Sequence, residues 1–243
     1  MAHMVDTNGE PVLENGEPVT LITACPVNEA TIVDTWHTLG MRGTGSHDVA
    51  MSDVFIPEQR TARLVPRERP GTAYEAPLYK FTVWASVASL APIATGIARA
   101  AIDTLLALAD KKTPAFTTRL LRDRGVFQQQ IAKAEARLGA GRAYLYNMLE
   151  QVWSGAIQDR VIDLQQKIRL QLAATHAVQA SAEAVDLVYA AAGATAIRQE
   201  HDFQRHFRDV HTITQHGFIS ASRYESAGQG LLGAPIEWPF FSL

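Results

Sequence analysis

The feature that most constrains this chain is a long apolar stripe with the period of an α-helix. Between residues 127 and 152, apolar or small residues alternate at spacings of four and three: Phe127, Ile131, Ala134, Leu138, Gly141, Leu145, Met148 and Val152. This alternation keeps one side of a helix apolar over about seven turns. Because a stripe of that length must be covered by other helices, it predicts a helical bundle.

Helical periodicity extends over the whole chain from Pro77 onward. Apolar residues recur three or four positions apart in four more segments, which predict helices at residues 83–108, 161–191, 202–217 and 218–227. Long consecutive helices with short connections pack antiparallel to one another. We therefore predict a C-terminal helical bundle domain over residues 77–243.

The first 66 residues have the pattern of a β domain instead. Asn8-Gly9 and Asn15-Gly16 are turn dipeptides. Three segments are β-branched or alternating and predict strands: Val19–Ala24, Thr31–Trp36 and Val49–Ile56. These strands are too few to close a barrel, so we expect a partial antiparallel β domain over residues 1–66. Prolines then indicate a linker over residues 67–76.

Charge and cysteine content exclude several classes of protein. A net charge of −3 and a pI near 6.2 do not favour nucleic acid or an anionic membrane as partner. The single cysteine, Cys25, excludes an intrachain disulfide framework, so we expect a cytoplasmic protein. Polar residues interrupt the apolar segment Val83–Leu108 before it reaches the ~18 residues of a membrane span. It therefore predicts a buried helix.

Three motifs resemble the acyl-CoA dehydrogenase family. Residues 36–49 (WHTLGMRGTGSHDV), continuing to 53–57 (DVFIP), are similar to the end of that family's β domain, where G-x-R-x-[ST]-x-[ST] precedes a strand and D-V-x-[VI]-P. Residues 204–209 (QRHFRD) resemble the segment before the family's active-site turn, where an Arg-Asp pair is usual. A glycine loop at residues 191–196 lies at about the expected distance before it. The resemblance covers the chain from Val19 onward.

The resemblance implies a mainly α fold with three domains. The family has an N-terminal helical domain, a central β domain and a C-terminal four-helix bundle, and it binds flavin between the last two. By this comparison the chain holds an incomplete antiparallel β domain and the whole bundle, and the N-terminal helical domain is absent. The family's bundles assemble into homodimers or homotetramers, and flavin contacts cross the subunit boundary.

Two chemistries within this fold compete. Acyl-CoA dehydrogenases need a carboxylate base, but Gly217 occupies its usual place, and the alternative place at residues 82–90 holds no acid. Residues 211–217 (HTITQHG) instead resemble the two-component flavin-dependent monooxygenases, in which a histidine at the place of His216 faces the flavin. The resemblance thus favours an oxygenase component that acts on an aromatic or heterocyclic small molecule with reduced flavin, O2 and a separate flavin reductase. Two alternatives stay open, an acyl-CoA dehydrogenase and a catalytically silent oligomerisation fragment.

Four residues are candidates for the site. The resemblance implies that His216 is catalytic, because an imidazole can hold oxygen and move a proton at neutral pH; the alternative is a packing role at a helix end. It also implies flavin contacts for Gly193, Thr195 and Arg208, although Arg208 with Asp209 is equally consistent with a structural ion pair. The loop around Gly193 departs from the dehydrogenase pattern, which leaves FAD and FMN both open.

Two other groups of residues are weaker candidates. His211 is interpreted as a surface or interface residue, and the pair His211 and His216 lacks a third ligand, so we predict no metal site. Arg119, Arg122 and Arg124 are interpreted as a solvated face at a helix start, although the family places a flavin-contacting arginine nearby.

Overall fold

The computed structural model describes residues 2–14, 16–63 and 72–242. The chain forms two compact units, which we call the β unit (residues 1–37 and 42–75) and the helical unit (residues 38–41 and 76–243). Half of the expected linker at 67–76, residues 67–71, lies outside the described residues. The domain limits derived from the sequence stay predictions.

The β unit is built from short antiparallel pairs. Its described part contains seven strands: β1 (Ala2–His3), β2 (Leu13–Glu14), β3 (Glu17–Pro18), β4 (Thr20–Thr23), β5 (Thr31–Val33), β6 (Asp48–Ala50) and β7 (Thr61–Arg63). One sheet has the order β1-β4-β7, and two hairpins pair β2 with β3 and β5 with β6. The strand predicted at 49–56 is shorter than expected. It ends at Ala50, which pairs with Thr31, the first residue of its partner β5; farther on, Asp53 has a positive φ of 55° that breaks extended geometry.

The helical unit follows the predicted order of helices. Its described part contains five: α1 (Trp84–Ala109), α2 (Gly125–Ala156), α3 (Leu164–Ala192), α4 (Phe203–Ile213) and α5 (Arg223–Leu231). A capping box between Asp163 and Gln166 starts α3. The predicted fourth helix is shorter than expected, and the predicted fifth is displaced toward the C-terminus, because residues 214–222 form a turn between α4 and α5.

Helix α3 is the centre of the bundle and packs against α1, α2, α4 and α5. The stripe predicted for α2 faces it. Of the eight stripe positions, all are buried except Ile131, which is half-buried. At Gly141 a Cβ atom would lie 3.1 Å from the Ala177 Cα of α3, so a small residue allows close approach. The prediction of a mainly α fold with a helical bundle is confirmed.

Helix α1 corrects one expectation from the sequence. It contains an 18-residue window with a mean hydropathy of 1.4, so by length and composition alone it could cross a membrane. Its packing is that of a bundle helix, however. A face that includes Trp84, Val87, Ala91 and Ala94 is buried in the core, and α1 contacts α2, α3 and α4.

Candidate active site at the turn after helix α4

His216 lies in the turn between α4 and α5, where backbone hydrogen bonds hold it from both sides. Its N–H donates to the Ile213 carbonyl at 3.1 Å. Its own carbonyl accepts from the N–H groups of Ile219 and Ser220, each at 2.9 Å. The Cα of His216 is therefore fixed relative to the end of α4, although its side chain remains partly exposed.

The imidazole of His216 has a defined tautomer. Its Nδ1 lies 3.2 Å from the backbone N of Phe218. Because a backbone N–H can only donate, Nδ1 must be the acceptor, and the neutral ring carries its proton on Nε2. Partial burial also lowers the pKa of His216 below the usual 6.5, which favours this neutral form. The ring thus presents an Nε2–H donor.

Aromatic side chains surround the residue that orients this ring. The Phe218 ring centroid is 5.4 Å from that of His216. Phe218 makes edge contacts with Phe240 at 4.9 Å and with Trp238 at 6.3 Å. The C-terminal segment is itself anchored, because Lys167 donates to the Phe241 carbonyl at 3.1 Å. The turn that carries His216 is therefore packed on one side.

The turn offers space beside the imidazole and contains no carboxylate. A Cβ atom built on Gly217 would meet no described heavy atom within 4 Å. The sequence has no Asp or Glu between Asp209 and Glu225, and Glu225 lies in α5. Within the turn at residues 214–222, His216 is thus the one side chain that can titrate.

His211 has a different environment from His216. Its Nε2 lies 2.8 Å from Asp186 Oδ1 of α3, and its ring is 4.4 Å from the ring of Phe207. It is half-buried between the two helices. These contacts are those of a residue that joins α4 to α3.

Arg208 and Asp209 contact the segment 39–41 of the helical unit. The guanidinium of Arg208 donates to the Leu39 carbonyl at 3.3 Å. The Asp209 carboxylate accepts from the Met41 N–H at 2.7 Å. The two side chains therefore bind neighbouring backbone groups of one segment, which supports a structural role for the pair.

Gly193 and Thr195 form a 3-10 turn at the end of α3, and Lys112 binds it. The Lys112 Nζ donates to the Ala192 carbonyl at 2.8 Å and to Thr195 Oγ1 at 2.7 Å. Burial and the charge of Arg198 lower the pKa of Lys112. Thr195 thus has its oxygen engaged, while Gly193 is exposed with a positive φ of 57°.

An open cavity of about 640 Å³ lies where the chain enters α2. Its lining includes Phe116, Arg119, Asp123 and Arg124. The Phe116 side chain is fully exposed, and its backbone has a positive φ of 62°. The interpretation of these arginines as only a solvated helix face is thus incomplete, because two of them line a concave surface.

The predicted site residues occupy three separate places. His216 follows α4, Arg208 lies two turns earlier in the same helix, and Gly193 with Thr195 ends α3. Among the described residues, no hydrogen bond joins the turn at Gly193 to His216. Sequence patterns alone gave no signal for Lys112, because its contacts to residues 192 and 195 lie 80 and 83 positions away.

The chain is similar in sequence to a known family and to several of its characterised members. A family model described as "Acyl-CoA dehydrogenase, C-terminal domain" matches residues 88–221, more than half of the chain. The indole-3-acetate monooxygenase of Pseudomonas putida is 32% identical over 222 residues, which cover 90% of this chain and 56% of the relative. The oxygenase subunit HsaA of a flavin-dependent monooxygenase from Rhodococcus jostii strain RHA1 is 27% identical over 238 residues, covering 94% and 62%.

A solved structure agrees with these relatives in fold. XiaF from Streptomyces, in complex with FADH2 and glycerol, superposes with a TM-score of 0.84 at 24% identity and covers 98% of this chain. The match covers 60% of XiaF. The chain therefore spans between half and two thirds of the length of these relatives.

Proposed function

The chain belongs to the acyl-CoA dehydrogenase family, whose C-terminal domain it contains, and from this premise we propose that it is part of the oxygenase component of a two-component flavin-dependent monooxygenase. The substrate is an aromatic or heterocyclic small molecule, and a separate reductase delivers the reduced flavin. One observation carries the proposal. The turn after α4 holds His216, whose Nδ1 accepts from the Phe218 N–H so that Nε2 is left to donate, and the sequence of this turn contains no carboxylate.

The described residues offer groups that fit a phosphate-bearing flavin. Arg119 and Arg124 line the cavity at the start of α2, and their guanidinium groups suit a phosphate. The exposed turn at Gly193 lies beside Lys112 and Arg198, which interact electrostatically with each other. Both FAD and FMN carry such a phosphate. Reduced flavin, when bound, supplies the electrons that activate O2 for transfer of one oxygen atom.

The role of His216 follows from its tautomer. Because Nδ1 accepts from the Phe218 N–H, Nε2 is the nitrogen that can donate to an oxygen atom, and the neighbouring Gly217 adds no side chain that would crowd such a ligand. A neutral imidazole can donate this hydrogen bond and also exchange its proton near neutral pH. A carboxylate at this place would remain ionised at pH 7 and could only accept.

We further propose that the protein is a cytoplasmic homodimer or homotetramer. Apolar side chains are exposed where α2 ends and α3 begins: Trp153 at 43%, Ile157 at 56%, Val161 at 65% and Leu164 at 49%. A cluster of this kind on a bundle supports an interface between subunits.

Product formation tests the proposed function. The complete native protein is mixed with reduced FAD or FMN, O2 and indole-3-acetate, the compound named for the Pseudomonas putida relative, with other indoles and phenols in parallel. We expect one oxygenated product together with oxidised flavin. If every aromatic compound yields only hydrogen peroxide at the rate seen without substrate, the proposed function is wrong. Flavin binding without any oxygenation would then favour the silent alternative.

A further inference from the structure

Gln171 is a fully buried polar residue in the centre of the bundle. It lies on α3 with 0% of its surface exposed. Its Nε2 donates to the Phe218 carbonyl at 2.7 Å and to Thr175 Oγ1 at 3.1 Å. Both N–H groups of the amide are therefore used. Because the Phe218 carbonyl can only accept, the NH2 group of the Gln171 side chain must face it, and this fixes the orientation of the Gln171 amide.

The oxygen atom of the Gln171 amide lowers the stability of the folded state. Gln171 Oε1 is buried and has no hydrogen-bond partner in the described part of the chain. A buried acceptor without a partner destabilises a fold, because it gives up its hydrogen bonds to water and gains none in return. A methionine has nearly the same shape and would remove this unpaired acceptor, but it would leave the Phe218 carbonyl without its donor. The hydrogen bond to Phe218 is therefore what glutamine supplies at this position of α3.

Phe218 connects Gln171 to His216. Its carbonyl accepts from Gln171, while its N–H donates to His216 Nδ1. Its ring is held by Phe240 and Trp238. The backbone of Phe218 is thus fixed at its carbonyl and its side chain, and the direction of its N–H follows from both.

We propose that Gln171 is a positioning residue for His216. It acts through Phe218, whose anchored N–H selects the His216 tautomer with the proton on Nε2 and holds the ring in one orientation. The consequence for catalysis rests on the proposed function, whereas the positioning itself does not. Without the Gln171 donor, the Phe218 carbonyl loses its buried partner and the turn gains other conformations.

Gln171→Met tests this proposal, because it keeps the volume and removes both donors. Ser181→Ala is the matched control. Ser181 is also fully buried on α3, but its hydroxyl bonds to the Ala177 carbonyl of the same helix and not to the turn. Histidine ¹⁵N shifts report the tautomer and pKa of His216, and hydrogen exchange reports the Phe218 amide. Both measurements need neither flavin nor activity, and His216→Gln assigns the resonance.

In Gln171→Met we expect exchange of the Phe218 amide to accelerate about tenfold, the equivalent of one hydrogen bond. We also expect the His216 shifts to move toward a mixture of tautomers. Ser181→Ala should change neither. In the complete protein, the yield of oxygenated product per reduced flavin should fall in Gln171→Met only.

Gln171→Glu provides a second variant of the same shape. A carboxyl group buried here keeps its proton at neutral pH, and its O–H can donate to the Phe218 carbonyl. Protection of the Phe218 amide, corrected for intrinsic exchange, should therefore exceed that in Gln171→Met. Unchanged Phe218 exchange and His216 shifts in Gln171→Met would overturn the proposal. If these shift as expected but the wild type oxygenates no substrate, only the proposed function fails.

Discussion

The Met41 N–H donates to Asp209 Oδ1 at 2.7 Å, across 168 positions of the sequence. Directly before Met41, Gly40 lies against the backbone of Arg208. A Cβ atom at Gly40 would lie 2.3 Å from the Arg208 carbonyl oxygen. The Arg-Asp pair of α4 and the glycine of the G-x-R motif are therefore two sides of one contact in the helical unit.

Gly40→Ala should destabilise the helical unit strongly. The added methyl group meets backbone atoms, which cannot move aside as the end of a side chain can. We expect a loss of about 1–3 kcal/mol in the free energy of unfolding, as is typical of overpacking. Urea denaturation measures this. Gly43→Ala is the control, because a Cβ at Gly43 meets no described atom within 4 Å. Equal stability of the two variants would contradict the packing argument.

The bundle could be predicted because its signal is local. The stripe on α2 needs only the period of a helix and the requirement that apolar residues be covered, and it is buried as expected. The early end of α4 and the late start of α5 were not predictable in the same way. The turn at 214–222 depends on packing of Phe218 against Phe240 and Trp238 from the end of the chain.

The partners of the candidate site residues were beyond the sequence. The family motif gave the position of His216, but its tautomer depends on the orientation of Phe218. That orientation depends on Gln171, which is 47 positions away and has no motif. In the same way, the sequence indicated an ion pair between Arg208 and Asp209. In the structure, each side chain instead forms a hydrogen bond with the backbone of residues 39–41.

The stability of the protein should fall in mild acid because of His206. This side chain is 6% exposed on α4. Burial, followed by the charge of Arg205, lowers its pKa, and Asp202 and Asp209 oppose this only in part. As the pH falls below about 6.5, His206 takes up a proton in the unfolded chain before it does so in the folded chain. This contribution to stability is therefore present above pH 6.5 and is lost as the pH falls.

Unfolding free energies at pH 8 and pH 5.5 check this for the wild type and for His206→Gln. We expect a smaller difference between the two pH values in the variant, since glutamine does not titrate. His201→Gln serves as the control, because the His201 side chain is partly exposed and lies beside Glu200. A variant with the full acid sensitivity of the wild type would exclude His206 as its source.

The exposed apolar cluster at residues 153–164 should be an interface between subunits. Light scattering at micromolar concentration should give a dimer or tetramer. Val161→Glu buries a charge in that interface, so we expect the dissociation constant of the oligomer to rise about tenfold or more. Ile197→Glu, at a side chain that is 68% exposed beyond the opposite end of α3, should have no effect. A wild-type chain that is monomeric and does not aggregate would contradict the prediction.

Acyl-CoA dehydrogenation should be absent even in the complete native protein. Removal of the α-proton of an acyl-CoA requires a base, and the candidate active-site turn holds no carboxylate, since the sequence has none between Asp209 and Glu225. Neutral His216 is also tied through Nδ1. Anaerobic titration of the oxidised flavoprotein with acyl-CoA esters of several lengths should leave the flavin absorbance unchanged. Bleaching by any of them would restore the dehydrogenase alternative.

His216→Ala should separate the use of oxygen from the formation of product. General acid-base groups contribute about 10²–10⁴ in rate, whereas an exposed side chain contributes less than about 0.5 kcal/mol to stability. Water can also solvate the Phe218 N–H once the imidazole is removed. The complete variant should therefore keep its melting temperature and flavin affinity, and it should release hydrogen peroxide in place of oxygenated product.

His211→Ala is the internal control for this experiment, with the opposite expected result. It removes the contact to Asp186 that joins α4 to α3, so the melting temperature should fall while product yield stays near that of the wild type. The decisive quantity is product formed per reduced flavin oxidised, measured for both variants with one accepted aromatic substrate. An undiminished yield in His216→Ala would refute a catalytic role. A large loss of its melting temperature would instead assign His216 to packing at the end of α4.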